Sequence, residues 1–194
     1  MGGLNNPAPQ IVPYQASLPG IYSGAFARIA GQYYGAYGGS ASVATDAFIA
    51  DRIYAIPFIV MIAEAFDRIS VNVSTAGSAG SKARLGIYYN DVAKPGARLL
   101  DAGEIDVDST GVKEITITQT LQPGLYWLVL IAQANISVYC PLVMAQLIGT
   151  GSVSVAASGN GAYITTQAYG ALPDPHPTPV VCSGRLPGVC LRRA

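Results

Sequence analysis

The sequence predicts an all-β protein: an antiparallel β-sandwich of the jelly-roll kind, with an extended N-terminal arm and a proline-rich C-terminal tail. Apolar and polar residues alternate with a period of two in several short runs, as they do in half-buried strands. Turn clusters rich in glycine, proline and aspartate separate these runs roughly every 10–15 residues, with no clear helix between them. The run Leu125–Ala132 is apolar on both faces, which predicts a central strand covered on both sides.

Residues 1–40 are predicted to form an arm without a core of its own. Pro7, Pro9, Pro13 and Pro19 favour extended chain, because proline fixes φ and lacks the backbone N–H that a strand ladder needs. The stretch Gly31–Ser40 follows, and its tyrosines suit an interface because they are amphipathic. We expect the arm to grip a neighbouring subunit. Packing on its own domain is the alternative, and ligand binding by the tyrosines is a third.

The candidate contact residues of the arm are its large apolar and aromatic side chains. They are Ile11, Val12, Tyr14, Leu18, Ile21, Tyr22, Phe26, Tyr33, Tyr34 and Tyr37. Burial of such side chains contributes roughly 25 cal/mol per Å² of apolar surface. Several of them together are expected to outweigh the cost of ordering the arm.

Residues 41–170 are predicted to form the sandwich domain. Alternating strands are predicted around Ile69–Val73, Leu85–Tyr89, Ile105–Val107 and Ile115–Ile117, and a hairpin around SGNG from Ser152–Ala156 and Ala162–Ala168. The apolar run Ile56–Ile62 is predicted to be a buried strand with Pro57 at its start. The segment Ala44–Tyr54 is compatible with a helix or with a strand leading into the domain.

The alternation also predicts the side chains of the core. They are Ile69, Val71, Leu85, Ile87, Ile115, Ile117, Trp127 and Val129. Trp127 is expected in this core rather than as a platform for a sugar ring, because its strand is apolar on both faces.

Residues 171–194 are predicted to be a proline-rich tail. The stretch PDPHPTP excludes regular structure and places His176 in an exposed loop. Cys140, Cys182 and Cys190 are too few for a disulfide framework and fit no zinc spacing. We expect three reduced thiols, with a Cys182–Cys190 bridge as the alternative in an oxidising medium.

The charge balance excludes several classes of protein. The chain has 11 basic and 11 acidic residues, and charged residues make up 11% of it. That composition offers no basic field for a nucleic acid and is too apolar for an intrinsically disordered chain. Neither of the longest apolar runs, 55–63 and 125–132, is long enough to span a membrane. Zero net charge favours association, so we expect a homo-oligomer, most simply a trimer.

No residue pattern indicates catalysis, a metal site or a cofactor. His176 is the only imidazole and has no nucleophile motif beside it. Asp101, Glu104, Asp106 and Asp108 cluster, but the last three alternate with apolar residues as on a solvated strand face. A weak calcium site is the alternative for that cluster.

The stretch from Asp51 to Tyr139 resembles a domain that recurs in the virion proteins of tailed bacteriophages. It contains in order DRIYAIPFIV, FDRISVNVSTAGSAGSKARLGIYYND, PGARLLDAGEIDVDSTGVKEITI and LQPGLYWLVLIA. The resemblance implies an antiparallel sandwich that projects from the particle as a commonly trimeric module. It carries no catalytic residue, and it implies a location in the virion after assembly in the host cytoplasm.

The resemblance leads us to expect a non-enzymatic structural protein of the virion. Because the chain has no coiled-coil or repeat shaft, it fits a capsid decoration or a short head or tail appendage better than a long fibre. Its partners would be copies of itself and other virion proteins. A receptor-binding module for host-surface glycans is the alternative. A glycan-degrading enzyme is a third possibility, and it would need carboxylates that converge in a groove.

Overall fold

A computed structural model describes residues 27–35, 43–141, 162–182 and 186–194, which form strands and no helix. The strands in chain order are β1 (Tyr33–Tyr34), β2 (Val43–Phe48), β3 (Arg52–Val60), β4 (Glu64–Thr75), β5 (Lys82–Asp91), β6 (Lys94–Asp106), β7 (Gly111–Leu121), β8 (Gly124–Ala132), β9 (Ile136–Pro141), β10 (Ala162–Thr166), β11 (Val180–Cys182) and β12 (Cys190–Arg193). The predicted all-β sandwich is confirmed.

Strands β2 to β9 pair as one long hairpin that has been rolled up. The antiparallel pairs are nested: β2 with β9, β3 with β8, β4 with β7, and β5 with β6. Further pairing of β4 with β9 and of β5 with β8 closes the roll into two sheets. Sheet A contains β2, β9, β4 and β7, and sheet B contains β3, β8, β5 and β6. This nesting is the jelly-roll arrangement, and it agrees with the sequence prediction.

The remaining strands extend the two sheets of the roll. In sheet A, β12 pairs with β4 and carries β1 on its other side. In sheet B, β10 pairs with β3 and carries β11. Segments predicted to be an arm and a tail therefore contribute strands β1, β11 and β12 to the sandwich. The run Ser152–Ala156 lies outside the described residues.

The inner faces of the two sheets form the main core. Seven of the eight predicted core residues are buried, including Ile69, Leu85 and Ile87, which are fully inaccessible. Ile115 is only half-buried, because it lies on β7, which pairs with β4 alone and forms an edge of sheet A. Along β7, successive side chains point alternately toward this core and toward solvent, as the sequence pattern predicts.

Strand β8 is buried on both faces, as predicted. Tyr126, Leu128 and Leu130 face the core between the sheets. Trp127 and Val129 face the other way and form a second apolar cluster on the outer face of sheet B. Trp127 has no exposed surface, and its indole N–H donates to the side-chain oxygen of Asn90 at 3.1 Å. It is a core residue and not an exposed platform.

A segment from Gln167 to Pro177, which we call the strap, covers the outer face of sheet B. Leu172 of the strap is buried against the second apolar cluster. The strap has no strand ladder here, so polar contacts hold its backbone: the Leu172 amide donates to Asp101 at 3.0 Å and the Tyr88 hydroxyl donates to the Pro173 carbonyl at 2.7 Å. The His176 amide donates to the Gly96 carbonyl at 2.9 Å.

The prediction that His176 lies exposed in a loop is wrong. His176 is only 7% exposed, and its ring meets the ring of Tyr88 edge to face at 5.0 Å. Prolines exclude a strand ladder, but they do not prevent a segment from packing flat on an apolar sheet face. The prolines of PDPHPTP therefore predicted the irregular backbone of that stretch correctly and its exposure incorrectly.

Two expectations for the start of the roll also change. Pro57 lies in the middle of β3 and not at its start, opposite Trp127 of β8. Proline is tolerated there because β10 pairs with β3 only as far as Ala55. The N–H that proline lacks therefore leaves no acceptor of β10 without a donor. The segment Ala44–Tyr54 forms strand, turn and strand, and the helical alternative is wrong.

Gly86 allows the strap to reach the sheet, which yields a test. A Cβ on Gly86 would lie 2.5 Å from the Leu100 carbonyl oxygen and closer still to a methyl group of Leu172. We expect Gly86→Ala to destabilise the fold by about 1–3 kcal/mol through overpacking. Gly170→Ala is the matched control, because a Cβ there meets nothing within 4 Å. Urea unfolding measures both, and an equal effect of the two changes would contradict the assigned role of Gly86.

Candidate functional site

The described part of the arm, residues 27–35, lies on sheet A. Tyr33 and Tyr34 form β1 and pair with Arg192 and Leu191 of β12. Tyr34 packs against the inter-sheet core, whereas Tyr33 is 44% exposed on the outer face of the sheet. For these two tyrosines, packing on their own domain is what the structure shows. The other candidate contact residues lie outside the described residues: Ile11, Val12, Tyr14, Leu18, Ile21, Tyr22, Phe26 and Tyr37.

An ion pair fastens the arm to the sandwich. The Arg28 guanidinium donates to the Glu64 carboxylate at 2.5 Å, and the Arg28 backbone amide donates to the other carboxylate oxygen at 2.8 Å. A second guanidinium nitrogen donates to the Ile59 carbonyl at 2.6 Å. The Glu64 side chain is only 1% exposed, so this carboxylate depends on its partners to offset the loss of water.

Three aromatic rings surround the same guanidinium. The Arg28 carbon Cζ lies 4.7 Å from the ring centre of Phe58, 5.3 Å from that of Tyr34 and 5.9 Å from that of Phe66. These are cation–π distances, and the rings exclude water from the ion pair. We call Arg28, Glu64 and these three rings the arm clamp.

The last described strand is fixed beside the clamp. Arg192 of β12 makes a two-pronged contact with Asp67 at 2.8 and 2.6 Å, and this hydrogen bonding lowers the pKa of Asp67. The Nε of Arg193 lies 3.8 Å from Glu64. Glu64 therefore faces cations from both the arm and the last strand, so that one buried carboxylate ties the two segments to β4.

A groove of about 420 Å³ crosses the outer face of sheet A. It forms where β4 changes partner, because β12 pairs with β4 as far as Ser70 and β9 pairs with it from Val73 onward. Gly188 turns the chain there, and a Cβ on it would lie 2.6 Å from the Tyr139 carbonyl oxygen. The groove is lined by Tyr33, Ser70, Val71, Asn72, Val112, Glu114, Gly188 and Cys190.

The described lining of the groove carries phenol, hydroxyl, amide, carboxylate and thiol groups. The Tyr33 hydroxyl donates to the Glu114 carboxylate, and this hydrogen bond raises the pKa of Tyr33. Asn72 makes no side-chain hydrogen bond to another described residue. Burial raises the pKa of the Cys190 thiol to about 11, so the thiol stays protonated at neutral pH. Among the described residues of the lining, Glu114 is the only carboxylate, whereas glycoside hydrolysis uses two.

The acidic cluster is tied into ion pairs and hydrogen bonds. Asp101 and Glu104 both bind Arg84, at 2.9 and 3.0 Å, and Asp106 pairs with Lys82. Glu104, Asp106 and Asp108 are exposed, as the solvated-face interpretation predicts. In the part of the chain that the structure describes, no three His, Cys, Asp or Glu residues are grouped to hold a metal ion. The calcium alternative therefore gains no support.

The cysteines are placed apart in the two sheets. Cys182 lies on β11 of sheet B and Cys190 on β12 of sheet A, and no disulfide joins them. Cys140 is buried on β9. The alternative of a Cys182–Cys190 bridge is not supported by this structure.

Sequence reasoning missed the arm clamp and the groove. Arg28 and Glu64 are 36 positions apart, and neither belongs to a motif. One signal was present: Glu64 sits in an otherwise apolar stretch, AIPFIVMIAEAF, where a buried charge requires a partner. The groove left no comparable signal, because it depends on where two strands diverge.

Comparison of the chain with protein-family models, with curated proteins and with solved structures finds no match. Within the described residues, no helix is long and apolar enough to cross a membrane.

The arm clamp predicts a large cost for Arg28→Met. This change removes the guanidinium and leaves the buried Glu64 carboxylate with the backbone amide of residue 28 and the more distant Arg193 cation, so we expect a loss of about 3 kcal/mol in the free energy of unfolding. Lys82→Met is the matched control, because the Lys82–Asp106 pair is exposed and its loss should leave the urea midpoint unchanged. If both variants unfold at the wild-type midpoint, the clamp does not stabilise the fold.

His176 predicts a pH dependence of stability. Burial lowers the pKa of His176, while the unfolded chain keeps the ordinary value near 6.5. The unfolded state therefore binds more protons as the pH falls below about 6.5, and stability should decrease there and stay constant above pH 7. Urea midpoints between pH 7.5 and 5.5 measure this. His176→Gln should abolish the slope in that range, and an unchanged slope would assign it to other groups.

Proposed function

We propose that this chain is a non-enzymatic structural protein of a bacteriophage virion. In this proposal the jelly roll is displayed on the particle as a capsid decoration or a short head or tail appendage. Residues 1–26 dock it to other virion proteins, and the displayed form is a homo-oligomer, most simply a trimer. The resemblance of Asp51–Tyr139 to virion domains is the starting point of the proposal.

The arm clamp is the observation that carries the docking role. It holds Arg28 rigidly against β3 and β4, so the 26 residues before Ala27 start from a fixed point on a rigid body. Those residues include the apolar side chains from Ile11 to Phe26 that were predicted as contacts. A pulling force on the arm would act on the buried Arg28–Glu64 ion pair and on the pairing of β1 with β12.

The groove favours a second candidate function, which is the binding of host-surface glycan. Its lining combines the Tyr33 ring, the Asn72 amide and the Glu114 carboxylate. An aromatic face and planar polar groups suit sugar rings, which have apolar faces and hydroxyl edges. This function would be compatible with display on a particle and would use the outer face of sheet A, whereas the rings of the arm clamp pack at the inter-sheet core.

Deletion of residues 1–26 tests the docking role. We expect the truncated protein to melt at the temperature of the full chain, since the described sandwich does not include these residues, and to lose attachment. The measurement is co-sedimentation with phage particles assembled without this protein. Sedimentation velocity of the full chain tests the trimer.

Three outcomes separate the alternatives. If the truncated protein attaches as well as the full chain does, residues 1–26 are not the anchor. Failure of the full chain to sediment with particles would remove the virion proposal. Binding of purified bacterial surface polysaccharide, lost in Asn72→Ala, would favour the glycan-binding candidate.

A further inference from the structure

The two ends of the jelly roll differ, and the arm leaves from one of them. The β3–β4 turn at Met61 and the β7–β8 turn at Pro123 lie at this end, because Val60 pairs with Gly124 and Glu64 pairs with Leu121. The tip of the β5–β6 hairpin, residues 90–94, lies there too, since Tyr89 pairs with Tyr126 of β8. The arm clamp is at the same place. We call this region the arm-root end.

Exposed apolar side chains concentrate at the arm-root end. They are Ile29 at 70%, Met61 at 51%, Tyr89 at 46% and Val92 at 88% exposure. Two exposed large apolar side chains lie at the opposite end, Ile49 in the β2–β3 turn and Val112 near the start of β7. Exposed apolar side chains that gather at one end of a domain are candidates for a contact site.

The opposite end is polar, and several backbone amides of its turns donate to side chains. The Gly80 amide donates to Asp108 at 3.1 Å, and the Ala50 amide donates to the Asn135 side chain at 2.8 Å. The Lys82 amide similarly donates to the Gln133 side chain. The turns of that end present mainly polar groups to solvent, whereas the arm-root end presents the four apolar side chains named above.

The hairpin tip at the arm-root end carries backbone strain. Val92 and Ala93 have φ values of 44° and 62°, which a two-residue turn of this type requires and which asparagine and glycine adopt readily. A β-branched residue in this region is a genuine outlier. Turn geometry and stability would both favour other residues, so the exposed valine calls for another explanation. Strain of this kind is typical of functional positions.

We propose that the arm-root end is the face on which the sandwich sits against its partner. The occupant is another protein of the particle that presents an apolar, weakly charged surface, and Val92 inserts into that surface. This inference rests on the proposed docking role of residues 1–26, because a chain segment that grips the particle brings its own point of exit to the surface. It adds a second contact, made by the sandwich itself.

The charges of the arm-root end fit such a partner. Asp91 and Lys94 are paired across the hairpin and have opposite signs. Arg28 and Arg193 both face Glu64 at the arm clamp. The named charges of this end therefore nearly cancel, and we attribute recognition mainly to apolar shape.

The test uses the full-length protein with a double change at the tip, Val92→Asn with Ala93→Gly. These residues fit the turn, so the thermal midpoint should rise. Attachment should become at least tenfold weaker in co-sedimentation with particles assembled without this protein. Val180→Asn is the matched control, because Val180 is 59% exposed on β11, at the edge of sheet B and outside both the groove and the arm-root end. It should attach like the wild type.

The outcomes distinguish this inference from the proposed function. If the double variant attaches like the wild type while deletion of residues 1–26 abolishes attachment, the arm alone docks and the inference is wrong. If the double variant loses only self-association in sedimentation velocity, the occupant is a second copy and the inference is wrong about the partner. If the full chain attaches to no particle, both proposals fall.

Discussion

The two-sided apolar character of β8 is the constraint on which the rest of this structure depends. Because the side chains of β8 are apolar on both faces, sheet B must be packed against other parts of the chain on both of its faces. Sheet A provides one through the jelly roll, and the strap provides the other. Because the strap has no ladder partner on the sheet, side chains on sheet B must satisfy its backbone, and Tyr88 and Asp101 do so.

Strand β4 imposes the second constraint, because it serves three partners. Its pairing with β7 is continuous apart from a bulge after Phe66, but its other edge is divided between β12 and β9. The division opens the groove on the outer face, while the start of the strand brings Glu64 to the arm clamp. One strand therefore positions both surfaces for which a function is proposed, at separate places along its length.

The sequence predicted the parts of the fold that depend on local pattern, and it missed those that depend on distant partners. Alternation marked β4 and β7 because a strand with one wet face has to alternate. The apolar run of β8 also predicted a strand covered on both faces, with Trp127 buried. It misjudged His176, since proline content reports on backbone hydrogen bonding and not on burial. The Arg28–Glu64 contact was beyond prediction, because a buried ion pair is defined by positions in space and not by spacing along the chain.

Ten of the 21 charged residues that the structure describes form ion pairs with each other. Arg28 and Arg193 face Glu64, Arg84 binds Asp101 and Glu104, and Arg192 binds Asp67. The surface is thus poorer in unpaired charge than the composition alone suggests. Long-range steering of a partner needs a net field, and paired charges supply little of it. In the docking proposed above, the partner is therefore recognised by shape and apolar contact after collision, which suits assembly at high local concentration more than capture from dilute solution.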